Sequence, residues 1–209
     1  MRHVKINYLP VDQRAHYWFG VDLGQKRDHS AIAVLRRSWK MATPEEFLAS
    51  AAHAYHGEWI FEVVQAERVE LGTSYADIGD WIYNEVQAVD ERLKRTVVLD
   101  GTGVGTVVRD HLRRRGLRAE IMNCVITGGN RAGSHMDKYA TYVGREEVLR
   151  RLAVAVENRE FWISERCTER ARLGEELKAL RMEGKPGGGM GDDLAFALAL
   201  AVWQGIRFR

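Results

Sequence analysis

The stretch Thr96-Val97-Val98-Leu99-Asp100-Gly101-Thr102-Gly103-Val104-Gly105 decides the fold. Its β-branched apolar run reads as a buried strand that ends on a carboxylate and a glycine-rich turn. Val104 to Arg115 then continues at helical spacing, with Val107, Val108, His111 and Leu112 on one side and Gly116 as the stop. Upstream, Tyr75, Ile78, Ile82, Val86 and Val89 recur at the helical period, so Ser74 to Leu93 reads as an amphipathic helix capped by Thr73 or Ser74. A buried strand between two helices is the mark of an α/β domain.

Working outward, Tyr17 to Gly20 and Val21 lead into the turn Asp22-Leu23-Gly24, and Ala31 to Leu35 follows a polar loop. Two apolar runs joined in this way read as a hairpin. Trp59 to Val69, rich in β-branched and aromatic residues, makes a third strand, and Arg118 to Val125 a fifth. The order is βββαβαβ. Met41 to Ala54 is helix-compatible or an insertion loop, and Thr127 to Tyr142 is loop-like. Helices are expected over Val143 to Asn158, Glu169 to Met182 and Asp192 to Trp203, with a short strand at Phe161-Trp162-Ile163 and a glycine-rich linker from Gly184 to Gly191. The six Trp and the Leu/Val/Ala stripe of the last helix read as core. The fold class is therefore α/β, a mixed sheet of about five strands, the first three antiparallel, flanked by helices in one domain over 1–209 with its core at about 17–205.

Thirty-one Lys and Arg against 29 Asp and Glu leave the 209-residue chain at +2, which excludes a wholesale polycation but not a local basic face. Cys124 and Cys167 lack zinc spacing and are too few for a disulfide scaffold, so a reducing compartment is expected. Met1 to Lys5 has no signal-peptide core, and the longest apolar stretch, Leu194 to Trp203, is about half a membrane span. The expectation is a cytoplasmic protein without a membrane partner.

Three acidic stations stand at the ends of apolar elements: Asp22 after the first strand, Asp100 after the fourth, and Asp192 with Asp193 at the start of the last helix. In an open α/β sheet, sites gather outside the carboxyl ends of the strands. Carboxylates that converge there repel unless a cation sits among them, and the natural occupant is Mg²⁺ or Mn²⁺. Two such ions about 3.5–4 Å apart suit in-line displacement at a phosphodiester. Each station also has a plainer reading. Asp22 can simply end a strand in a turn, the glycines after Asp100 can shape a turn or cradle a phosphate, and one Asp of the pair suffices as a helix cap. The glycines do not follow the Gly-x-Gly-x-x-Gly dinucleotide spacing.

Four stretches in order resemble the nuclease domain of the large terminase subunit of tailed bacteriophages, in the RNase H-like (retroviral-integrase-like) superfamily. They are Gly20-Val21-Asp22-Leu23-Gly24 with Asp28-His29-Ser30-Ala31; Val97 to Gly105; Val143-Gly144-Arg145-Glu146-Glu147-Val148-Leu149; and Gly191-Asp192-Asp193-Leu194-Ala195-Phe196 onward to Ala201. The resemblance implies an RNase H-like sheet, two Mg²⁺ or Mn²⁺ ions, and endonucleolytic cutting of double-stranded DNA during viral genome packaging. Asp22 and Asp100 map onto the metal-binding acids, and the third maps onto Asp192 or Asp193. The implied partners are DNA, a separate ATPase motor, a portal and a small terminase subunit, in the host cytoplasm.

Two departures stand out. No Gly-x-x-x-x-Gly-Lys-[Ser/Thr] loop occurs, so the chain carries no ATPase motor. Phe196 stands where the family's closing helix often carries another acid. Lys26, Arg27, His29, His135, Lys138, and Arg113 and Arg114 among the arginines of the helix before Gly116, are candidates for meeting DNA phosphates, against the plain reading of solvated charge. Glu62 and Glu67 are weaker candidates for the site, because strand alternation can turn either to solvent. The alternatives are a junction-resolving nuclease, a DNA-binding or assembly module that lost activity, and an actin-like ATPase or sugar kinase, against which the length argues.

Overall fold

The computed structural model describes residues 15–24, 28–41, 57–128, 135–136, 140–183 and 192–206. Their strands are β1 (His16–Asp22), β2 (Ala31–Met41), β3 (Gly57–Arg68), β4 (Lys94–Asp100), β5 (Glu120–Thr127), β6 (His135–Met136), β7 (Thr141–Gly144) and β8 (Trp162–Ile163). Their helices are α1 (Tyr75–Gln87), α2 (Gly105–Arg114), α3 (Arg145–Glu157), α4 (Arg170–Glu183) and α5 (Asp193–Gly205). One eight-stranded sheet runs in the order β6-β7-β5-β4-β1-β2-β3-β8. β1, β2 and β3 are antiparallel, as expected, and β1, β4, β5 and β7 are parallel.

The sheet is wider than the sequence reading because of β6 and β7, of two and four residues, while β8 is the short strand expected at Phe161-Trp162-Ile163. A run that short carries no period. Thr127 to Tyr142 is thus not all loop: β5 runs through Thr127 and β7 takes Thr141–Gly144, which moves the start of α3 to Arg145. Met41 ends β2, and the rest of the Met41 to Ala54 segment, like the whole Gly184 to Gly191 linker, lies outside the described residues.

Alternation along the strands sorts the core into two layers. Phe19, Val21, Ile32, Val34, Val97 and Leu99 pack under α1 and α2 with Ile78, Ile82, Val86, Val108 and Leu112. Trp18, Ala31, Ala33, Leu35, Val98 and Cys124 face α3, α4 and α5. α5 is apolar all round because it lies on the middle of the sheet beneath α3 and α4, and Leu194 to Val202 are buried without a break.

Two details correct the sequence reading. Val107 is 57% exposed, so the buried stripe of α2 is Val108 and Leu112. Of the six Trp, Trp18 and Trp203 are core, whereas Trp59 and Trp162 are 36% and 45% exposed. Arg37 lies over the Trp59 ring at 4.3 Å and the Trp18 ring at 5.5 Å, so a guanidinium covers part of this aromatic surface. Ser74 caps α1 as expected, its Oγ accepting from the Asp77 amide at 3.2 Å.

Candidate active site

β1 and β4 run parallel and adjacent, with Val21 beside Leu99. Val21 and Leu99 point into the α1/α2 layer, so the next residues, Asp22 and Asp100, turn toward the α3/α5 layer. Gly20, on that same face, lets α5 lie against β1: a Cβ there would run into the Ala197 carbonyl and stand 2.8 Å from the Ala201 amide nitrogen. The closeness that glycine permits brings the start of α5 to the end of β1.

The turn after Asp100 is pinned to β5. Asp100 Oδ1 accepts from the Thr102 amide at 2.8 Å, Thr102 Oγ accepts from the Ile126 amide at 3.0 Å, and the Gly101 amide donates to the Cys124 carbonyl at 2.6 Å. Gly103 takes φ +62°, and a Cβ on Gly105 would strike the Asp100 carbonyl. These glycines shape a tight return into α2. On the other side, Ser30 Oγ accepts from the Gly24 amide at 3.1 Å and the Tyr75 hydroxyl donates to the Gly24 carbonyl at 3.3 Å, fixing the first hairpin.

Neither aspartate of the pair at α5 caps the helix by its side chain. Glu176 of α4 does so instead, its Oε2 accepting from the Ala195 amide at 2.9 Å. Asp192 and Asp193 are left to other partners. Asp192 Oδ2 accepts from Arg145 Nη2 at 2.6 Å, while Asp193 is buried and lies in the field of His29 and Arg68. His29 is held by a 2.8 Å hydrogen bond between its Nδ1 and the Val69 carbonyl.

The acids perturb one another strongly. Burial pushes the Asp22 carboxyl up to about 8, with the Asp100, Asp193 and Asp192 charges adding to the rise and Arg145 opposing it. Burial also raises Asp100, against the Thr102 hydrogen bonds and Arg145. Asp193 is raised by burial and by Asp192, with His29 and Arg68 pulling it down. The three stations therefore share one electrostatic site.

Asp22 and Asp100 offer hard oxygen donors on adjacent strands, a donor set that suits Mg²⁺ or Mn²⁺. Among the described residues, however, no three His, Cys, Asp or Glu side chains stand close enough to hold a metal ion together. The near half of the site fits an ion by donor chemistry. The far half is taken up by the Arg145–Asp192 pair over Phe196, whose ring centroid lies 3.9 Å from the guanidinium carbon.

Arg145 and Glu176 are the site residues that sequence reasoning missed. Arg145 carried a signal, since a cation in the first turn of a helix opposes the macrodipole and needs acids to offset it. Of the other candidates, Arg113 and Arg114 are exposed at the far end of α2 from Asp100. Lys26, Arg27 and Lys138 lie outside the described residues, and the backbone of His135 pairs with Tyr142 in β6. Glu62 pairs with Arg36, and Glu67 accepts from the Thr168 hydroxyl at 2.9 Å, so both have partners away from the acids.

No protein-family model and no curated protein matches the sequence. Solved structures do share the fold, and those it superposes on are terminase nucleases. The large terminase nuclease of thermophilic phage G20c with bound magnesium superposes with a TM-score of 0.55, at 18% identity over 94% of this chain and 84% of that one. Its zinc-bound form gives 0.54 at 18% identity, over 91% and 81%. The manganese-soaked human cytomegalovirus terminase nuclease domain gives 0.59 at 13% identity, over 100% of this chain and 94% of that one.

Proposed function

We propose that this chain is a Mg²⁺- or Mn²⁺-dependent endonuclease that hydrolyses phosphodiester bonds of double-stranded DNA, in the manner of a terminase cutting viral genomes during packaging. The observation that carries the reading is the pair Asp22 and Asp100. Two carboxylates on adjacent parallel strands are turned to one face at the strand ends, with Asp192, Asp193 and Arg145 within electrostatic reach. Burying like charges side by side destabilises a fold, and such sites are kept where a cation and a reaction use them.

Asp22, which feels the charges of Asp100 and of both α5 acids, would hold the ions together with Asp100 and the Asp192–Asp193 pair. When bound, the ions polarise the phosphoryl oxygens and lower the pKa of water. The chain's own contribution is placement. β1 and β4 fix the spacing of the first two acids, Glu176 fixes the start of α5, and the Asp100–Thr102 turn keeps the Asp100 carboxylate from rotating away. Arg145 supplies a fixed positive charge beside the place where phosphate charge develops. Among the described residues no helix is long and apolar enough to cross a membrane. A motor, a portal and a small terminase subunit are the partners that such a chain would need to act on packaged DNA.

Plasmid cleavage tests the reading, run with Mn²⁺, Mg²⁺, Ca²⁺ and EDTA beside Asp22→Ala and Asp100→Ala. Nicking or linearisation that needs Mn²⁺ or Mg²⁺ and is lost in both variants is expected. Cleavage that survives Asp22→Ala refutes it.

A further inference from the structure

The acids of the site meet a cation that belongs to the chain. Arg145 follows Gly144, at the end of β7, and so emerges at the same edge of the sheet as Asp22 and Asp100. It is fixed twice over: Nη2 donates to Asp192 Oδ2, and the guanidinium plane rests on Phe196, which is fully buried in α5. Stacking of this kind uses the flat guanidinium, which an ammonium cannot imitate. Arg145 also stands at the helix end where a positive charge is disfavoured, so its placement is sustained by the acids around it. Phe196, on the same helix face as the acids, contributes an apolar seat and no carboxylate.

A divalent ion that draws on Asp192 must share that carboxylate with Arg145, which holds Oδ2, and settle beside a charge that cannot be titrated away. The Asp22 and Asp100 carboxylates carry no such hydrogen bond to Arg145, which acts on them only through space. The two halves of the site are therefore unequal. Resting on the nuclease reading above, we propose that Arg145 is an internal competitor for the second divalent ion: the free protein takes one ion at Asp22 and Asp100, and takes another at Asp192 only weakly, because Arg145 holds that carboxylate.

Arg145 is thus a positioning residue. It balances the acids before any ion arrives and sets the order in which ions enter. An opposite charge within about 4–6 Å commonly changes a carboxylate's proton affinity by tenfold or more, and competition with an ion is expected on that scale.

The test is a titration of the whole chain with Mn²⁺ near neutral pH, with free ion counted by its electron paramagnetic resonance signal. The wild-type chain is expected to show one tight site and a second at least about tenfold weaker. Arg145→Gln should tighten the second site by about tenfold and leave the first within about threefold. Arg145→Lys, which keeps the charge and loses the stacked fork, should fall between them. Asp192→Asn should abolish the second site in both the wild-type and Arg145→Gln backgrounds. Should Arg145→Gln fail to fold by circular dichroism, Phe196→Leu keeps every charge and removes only the seat, and it should tighten the second site in the same direction. Equal affinities for two ions in the wild type overturn the proposal, as does a second-site affinity that neither Arg145→Gln nor Phe196→Leu alters. A wild-type chain that binds no Mn²⁺ refutes the nuclease reading itself, and that outcome is distinct from the other two.

Discussion

Glu176 of α4 accepts a 2.9 Å hydrogen bond from the Ala195 amide of α5, so the helix that carries two of the four site acids is capped by a different helix. Asp192 occupies the cap position without making a side-chain cap bond and is free to pair with Arg145. Burial raises the Glu176 carboxyl above its usual range, partly offset by the Ala195 amide and Arg172. Glu176→Ala removes the cap and is expected to cost about 1–2 kcal/mol, read from chemical denaturation. Glu176→Gln keeps an acceptor and should lose less. Because the cap fixes where Asp192 and Asp193 stand, Glu176→Ala should also weaken Mn²⁺ binding more than Glu176→Gln does.

Gly20 is two residues from Asp22, against the backbone of α5. A methyl group there meets main-chain atoms on Ala197 and Ala201, which no rotamer change relieves. Gly20→Ala is therefore expected to destabilise by about 1–3 kcal/mol or more, since α5 must lift from β1. The same movement carries Asp193 away from Asp22. Cleavage by Gly20→Ala at a temperature where it remains folded should fall at least about tenfold, beyond what the loss of folded protein explains. Retained activity at reduced stability would separate α5 seating from the chemistry.

Much of this architecture was legible because long elements repeat a period. β1 to β5, the five helices and the three acid stations all follow from apolar runs and their ends. β6 and β7 were not legible, since two and four residues beside glycines show no period. That omission hid Arg145: without β7 next to β5, nothing in the sequence brings the start of α3 to the acids. Glu176 was missed for another reason. On an amphipathic helix an acid reads as solvated surface, and only the packing of α4 on α5 turns this one inward, to 7% side-chain exposure. The plainer reading of the double Asp makes one residue a cap, whereas the tertiary structure supplies the cap from outside.

Cys124 pairs in register with Asp100 across β4 and β5, and it is fully buried. Burial, with the Asp100 charge behind it, pushes its thiol up to about 12. Cys167 is also buried, and its thiol is raised by burial. A thiolate is the reactive form, so neither residue should be alkylated by iodoacetamide near pH 8 in the folded chain. Both should label fully in denaturant. Partial labelling of Cys124 in the native chain would report opening of the sheet beside Asp100.

The Asp22 carboxyl stands near 8 in the folded chain against an ordinary 3.8. Below about pH 4 the folded and unfolded chains both hold this proton, and above about pH 8 neither does. Between the two, the folded chain keeps a proton that the unfolded chain has lost, so this group lowers stability as pH rises through that window. Asp22→Asn removes the penalty. Measured in EDTA, the variant should match the wild type near pH 5 more closely than near pH 8, where it should be the more stable by a few kcal/mol and at most about 5. Mn²⁺ should reverse the ranking near pH 8, because an ion favours the ionised carboxylate that the variant lacks. An Asp22→Asn advantage that did not grow with pH would mean that the carboxylate is not held in a desolvated acid cluster.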